Sequence, residues 1–100
     1  MAARMLIPGT RTSDIADAVN AFLEKSGHAR LPHHAGHTVG LDDQERPWLI
    51  HGSTETVREN QAFVVEPGVY EKATGGMRVE DCYVLTRSGR EKVSKFPLEF

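Results

Sequence analysis

The hydrophobic pattern of this chain changes its period once, near Gly27, and that single change sets the fold class. Before it, Ile15, Val19, Phe22 and Leu23 fall at i, i+4, i+7 and i+8, while Asp14, Asp17, Asn20, Glu24 and Lys25 take the other face. The spacing predicts one amphipathic helix over residues 13–26. Thr12 or Ser13 offers an N-cap oxygen, Asp14 favours the positive end of the helix dipole, and Gly27 supplies a left-handed stop. Upstream, Pro8-Gly9-Thr10 reads as a turn. The apolar stub Ala2 to Ile7 reads as the last turns of a helix, too short to be stable alone.

From Leu31 onward, short apolar runs alternate with Gly, Pro and Asn, the texture of an antiparallel sheet. Ala62 to Glu66 is expected to be one strand, and Met77 to Thr86 the longest. Alternation along the latter puts Arg78, Glu80, Cys82, Val84 and Thr86 on one face and Met77, Val79, Asp81, Tyr83 and Leu85 on the other. Thr86-Arg87-Ser88-Gly89 reads as a hairpin turn into a last strand at Glu91 to Ser94, with regular structure ending at Phe96-Pro97. Asp42 to Asn60 reads as a long loop. The expected class is α+β, one helix followed by a mostly antiparallel sheet. With 100 residues and no repeat or linker, it is a single small domain.

Lys and Arg number 12 against 14 Asp and Glu, and this balance gives no electrostatic reason to expect nucleic acid or an anionic membrane as partner. A peptide or small-molecule ligand, or a protein surface, is expected instead. Cys82 is the only cysteine, so no internal disulfide forms, and no charged-then-apolar leader follows Met1; the expected location is cytoplasmic. No apolar run approaches the roughly 20 residues of a membrane-spanning helix.

Chemistry enters with carboxylates in apolar surroundings. Glu66 follows Phe63-Val64-Val65, and Glu80 lies inside the run from Met77 to Thr86. Burying either is costly without a cation or hydrogen bonds. A shared divalent ion turns their mutual repulsion into two attractive contacts. His37, between Gly36 and Thr38, adds an imidazole, and a mixed His and carboxylate set suits Mn, Fe, Co or Zn more than Ca or Mg. Blander readings stand beside this one. Glu66 has Arg78 as an ion-pair candidate, Asp81 shows that one of two neighbouring acids faces water, and His33, His34 and His37 also fit a loop of solvated imidazoles. His28 and His51 read as surface residues, and Cys82 as a small buried filler. Spacing alone leaves these readings open.

Order narrows them. Pro-Gly-Thr, an amphipathic helix and Gly are followed by His33-X-X-Gly-His37-X-X-Gly-Leu and Glu45-X-Pro. Then come Glu66-Pro-Gly-X-Tyr70, Gly75-Gly-X-Arg78-X-Glu80-Asp and a closing Thr86-X-X-Gly. From about Pro8 to Phe100 this resembles the C-terminal half of the creatinase/aminopeptidase P/prolidase superfamily, the pita-bread fold that also contains methionine aminopeptidase, and most of all its Xaa-Pro peptidases. The resemblance implies a partial pita-bread fold with a curved sheet, residues 1–100 being the C-terminal half of a catalytic domain. It implies peptide hydrolysis by metal-activated hydroxide at a dinuclear site of two Asp, one His and two Glu. Here His37, Glu66 and Glu80 match metal ligands, Glu66 also handling protons. His33 matches a catalytic histidine lining the substrate pocket, and Arg78 an arginine supporting the ligand carboxylates. The metal expected is Mn, with Co or Zn as alternatives, and two ions in the complete site.

Two departures follow. Where the family has a substrate-contacting histidine in Leu-Asp-X-His-Glu-X-Pro, this chain has Gln44, which donates a hydrogen bond but carries no proton. The two Asp ligands belong to strands preceding Pro-Gly-Thr, so the isolated chain is expected to be inactive or very weak. It is expected to self-associate or to pair with an Asp-bearing N-terminal half. The alternatives are a non-catalytic peptide-binding module and a creatinase-like hydrolase of a small non-peptide substrate.

Overall fold

The computed structural model describes residues 2–42 and 44–95; the expected stop at Phe96-Pro97 lies outside them. A 3-10 turn at Ala2–Met5 leads to helix α1 (Thr12–Lys25). Seven strands follow: β1 (Gly36–Val39), β2 (Glu45–Leu49), β3 (Ala62–Val65), β4 (Gly68–Glu71), β5 (Gly75–Arg78), β6 (Asp81–Thr86) and β7 (Gly89–Lys92). Five form an antiparallel sheet in the order β2-β1-β3-β6-β7, and β4-β5 is a separate hairpin. The α+β class and the mostly antiparallel sheet are as expected.

The helix ends as its sequence requires. Gly27 takes φ +86°, its N–H donates to the Glu24 carbonyl at 3.1 Å, and the His28 N–H reaches back to Leu23 at 2.8 Å. These two bonds satisfy carbonyls that would otherwise be orphaned. The start differs from expectation. Neither Thr12 nor Ser13 caps it; Arg11 is the N-cap and makes no side-chain cap bond. The Thr12 hydroxyl instead hydrogen-bonds Ser53 Oγ at 2.7 Å and donates to the Glu55 carbonyl at 3.1 Å, so a tertiary contact takes the oxygen that a local cap would use. The buried stripe runs through Ile15, Ala16, Val19, Asn20 and Leu23 and leaves Phe22 55% exposed, so the two end members of the expected faces exchange places. Asn20 is tolerated inside because its Oδ1 accepts the Leu31 N–H at 2.8 Å.

Ile15, Val19 and Leu23 pack with Leu49, Phe63, Val65 and Leu85 from the sheet, and with Val57 from the segment between β2 and β3, in one apolar core. The opposite sheet face carries a row set by register: Trp48 pairs with His37, His37 with Val64, and Val64 with Cys82. A helix therefore covers one side, and the other presents an imidazole in its middle.

Three strand expectations are corrected. Residues 77–86 are not one strand: the chain breaks at Val79-Glu80 and enters a different sheet, so Glu80 does not continue the alternation of β6. The break follows from the β4-β5 hairpin, whose turn end is opened by Gly75 at φ +96°. The loop at 42–60 contains β2, hidden in the sequence by Pro47 after two charged residues. A sheet edge accepts proline because the ladder there needs no donor on its outer side, and the Arg46-Pro47 peptide is cis. The last strand starts at Gly89, directly after the Arg87-Ser88 turn, two residues before expectation. Among the described residues no helix is long and apolar enough to cross a membrane.

A candidate metal centre

Close packing of β1 on β3 builds the site. Gly36 lies against the Val64 carbonyl and the Leu49 side chain, where an added Cβ would collide with both. The Glu66 N–H donates to the Ala35 carbonyl at 2.9 Å just beyond the end of the pairing, so the carboxylate that follows β3 is pinned beside the imidazoles around β1. A cavity of about 350 Å³ opens there, lined by His33, His37, Gln44, Glu66, Arg78 and Glu80 together with His34 and Val64. All six residues singled out from the sequence thus line one cavity. A larger one, about 540 Å³, lies along Arg46, Trp48 and the 50–55 segment and holds none of the expected ligands.

Glu66 is 7% exposed, and its Oε1 lies 3.3 Å from His34 Nδ1 and 3.7 Å from His37 Nε2. The carbonyl of Thr38, which only accepts, takes the His37 Nδ1 proton at 2.9 Å. In the tautomer that this bond selects, the lone pair of His37 is on Nε2, 3.7 Å from the carboxylate oxygen and its lone pairs. His34 Nδ1 is buried without a hydrogen-bond partner, its approach to Glu66 lacking hydrogen-bond geometry. Burial pushes the His34 pKa below its ordinary value against the upward pull of Glu66, which keeps the ring neutral. His33 differs. Its Nδ1 donates to the His34 carbonyl at 2.6 Å, and its Nε2 then accepts the Tyr70 hydroxyl proton at 2.7 Å.

Donors sharing one ion at about 2.0–2.2 Å stand at most roughly 4.4 Å apart. The two short nitrogen-to-Glu66 distances satisfy that limit. The three residues whose donor atoms all lie within 4.8 Å of one another, slightly beyond that limit, are His33, His34 and Glu66, a group that does not include His37. Neighbouring lone pairs, an unsatisfied buried nitrogen and a buried carboxylate are three unfavourable features that one cation relieves together, so the residues fit a divalent metal.

Some expectations change here. Glu80 is not buried in a strand: its side chain is 46% exposed, and its Oε1 takes Arg78 Nε at 2.9 Å. The ion pair considered for Glu66 and Arg78 does not form; imidazoles meet Glu66 and Glu80 meets Arg78. Nor are the three histidines a solvated loop, since His37 is 4% exposed and His33 and His34 are half-buried. His28 and His51 are outlying, paired with Glu71 at 3.3 Å and Asp17 at 2.7 Å. His34 is the site residue that sequence reasoning passed over; the visible signal was a second histidine directly after His33 and three before His37.

Imidazoles gathered on a buried carboxylate at an open sheet face make a candidate metal site of the mixed nitrogen and oxygen kind. The fold agrees with that of solved dipeptidases. The dipeptidase PepE from Mycobacterium ulcerans superposes with a TM-score of 0.91 at 31% identity, over 98% of this chain and 27% of that one. An Xaa-Pro dipeptidase from Bacillus anthracis gives 0.92 at 28% identity, over 98% and 28%. A putative dipeptidase, YkvY of Bacillus subtilis, is 30% identical over 91 residues, covering 90% of this chain and 25% of its own length. Residues 1–87 match the model of metallopeptidase family M24, and the chain belongs to that family. It spans about a quarter of the length of these relatives.

Proposed function

We propose that this chain supplies one wall of a peptidase centre that acts on Xaa-Pro dipeptides or short peptides. What carries the reading is Glu66, buried, with no Lys or Arg within 4.0 Å among the described residues, and with two imidazole nitrogens within 3.7 Å. His37 and Glu66 hold the metal, with Glu80 entering from the cavity rim once released from Arg78. The metal is Mn, or Co or Zn, two ions being present when the site is complete. A bound divalent ion supplies Lewis acidity toward a peptide carbonyl and lowers the pKa of water.

The remaining work falls to side chains. Glu66, buried beside the reacting atoms, takes and returns the proton of the attacking water. His33, fixed at both nitrogens by the His34 carbonyl and Tyr70, orients the substrate at the cavity mouth. Gln44 donates an amide hydrogen bond to the substrate carbonyl, and Arg78 keeps Glu80 at the cavity rim until metal binds. Among the described residues the cavity lining contains no aspartate. Turnover therefore requires carboxylates from outside these 100 residues, brought by an Asp-bearing segment or a second chain laid on the open sheet face. The complete protein works in the cytoplasm.

The test is a pair of measurements on the purified chain. Mn²⁺ raises its melting temperature, while cleavage of an Xaa-Pro dipeptide appears only when the Asp-bearing half is co-expressed. Rapid turnover by the chain alone overturns the divided site. A melting temperature indifferent to Mn²⁺ favours the non-catalytic peptide-binding module, for which Gln44 in the cavity is the one supporting observation.

A further inference from the structure

We propose that His34 is itself a metal ligand, sharing with Glu66 and His37 a divalent ion of the Zn, Co or Mn kind. This deepens the metal-centre reading above and rests on it. The expected ligand set, His37, Glu66 and Glu80, does not contain His34.

Three imidazoles surround Glu66, and their hydrogen bonds separate them. Both ring nitrogens of His33 are engaged, one by a backbone carbonyl and one by the Tyr70 hydroxyl. His33 therefore has no lone pair to offer while Tyr70 stays in place. His37 spends Nδ1 on Thr38 and has Nε2 left over. His34 leaves Nδ1 buried and without a partner. The two uncommitted nitrogens lie 3.3 and 3.7 Å from the same atom, Glu66 Oε1.

Packing fixes the His34 ring in that pose. It stands edge-on to Trp48 at 4.7 Å and 88°, and edge-on to His37 at 5.5 Å and 84°. Trp48 lies opposite His37 across β1 and β2, so the same register that delivers His37 delivers the ring that holds His34. A side chain locked by its neighbours with an uncommitted nitrogen 3.3 Å from a carboxylate oxygen is a pre-organised ligand. Two imidazoles and one carboxylate favour borderline transition ions over Ca²⁺ or Mg²⁺, with Zn²⁺ bound more tightly than Mn²⁺. Glu80 is then free to remain with Arg78 when one ion is bound.

Zn²⁺ titration of the 100-residue chain by calorimetry tests this, with imidazole ¹⁵N chemical shifts recorded alongside. His34→Phe keeps a ring between Trp48 and His37 and removes both nitrogens; His37→Phe and Glu66→Gln serve as references. The expected results are a loss of at least tenfold in Zn²⁺ affinity in His34→Phe, and a coordination shift of one His34 nitrogen in the unmodified chain. Affinity within twofold of the unmodified chain in His34→Phe, while the references weaken, overturns the inference and leaves the metal centre standing. Absence of Zn²⁺ binding by the unmodified chain overturns both. Should His34→Phe fail to fold, unshifted His34 nitrogens at Zn²⁺ saturation are sufficient to refute the assignment.

Discussion

Replacing Glu66 with Gln separates a structural carboxylate from a metal-binding one, because the two roles predict opposite changes in stability. The side chain is 90% buried and faces two imidazole nitrogens, one of them on a ring kept neutral by burial. Without metal, then, the charge is desolvated with little Coulombic return, a situation that costs several kcal/mol even after relaxation. Gln keeps the shape and removes the charge. The metal-free variant is expected to gain about 1 kcal/mol, or about 4–8 °C in melting temperature for a domain of this size. Mn²⁺ at one hundred times its dissociation constant adds about 2.7 kcal/mol to the parent chain. That corresponds to roughly 11–22 °C at the same conversion. If loss of the anionic donor weakens binding about a hundredfold, the same Mn²⁺ concentration equals the new dissociation constant, and RT ln 2 leaves about 0.4 kcal/mol, or about 2–3 °C. Melting curves followed by circular dichroism, in chelator and in Mn²⁺, give all four values. A metal-free variant less stable than the parent, with the Mn²⁺ shift intact, would show that Glu66 is a structural ion-pair partner and refute the reasoning.

Two further outcomes probe the scaffold. Gly36→Ala places a methyl group against the Val64 carbonyl and 2.8 Å from Leu49 Cδ1, so urea denaturation should show a loss of about 1–3 kcal/mol from forced separation of β1 and β3; a loss below about 0.5 kcal/mol contradicts the close approach that positions His37. Burial raises the Cys82 thiol above its ordinary 9.0, so the unfolded chain releases this proton first as pH rises. The stability it contributes is complete below pH 9.0 and declines as pH climbs through the raised folded value. Urea midpoints at pH 8 and pH 10 should therefore diverge less in Cys82→Ala than in the parent, and equal divergence rules the thiol out as a source.

Several parts of the molecule were legible because the forces that shape them are local. The helix from Thr12 to Lys25 follows from a 3.6-residue period and a glycine in the left-handed region, both complete within a dozen positions. The β6-β7 hairpin follows from Arg87-Ser88 between two strand-forming runs. The motif order around His37, Glu66 and Arg78 placed all six expected residues on one cavity. Strand β2 was not legible, since Glu45, Arg46 and Pro47 carry no strand signal; the free edge of β1 recruits them through the backbone ladder and through the Thr38 hydroxyl, which donates to the Glu45 and Arg46 carbonyls at 2.7 and 2.8 Å. The break at Val79-Glu80 was hidden for the converse reason: alternation continues through it, and only the pairing of β4 with β5 turns the chain into another sheet.

The sequence by itself determined that Glu66 would be buried, because three apolar strand residues precede it and carry it inward. Only the tertiary structure decided what meets it there. Arg78 and the histidines were equal candidates along the chain, and the choice was made by the antiparallel register of β1 on β3, which sets His37 opposite Val64. A slip of one residue would turn His37 to the other face, since side chains alternate with period two. No local pattern encodes that register: it comes from packing Phe63 and Val65 onto α1, and the same packing delivers two free imidazole nitrogens to one carboxylate oxygen.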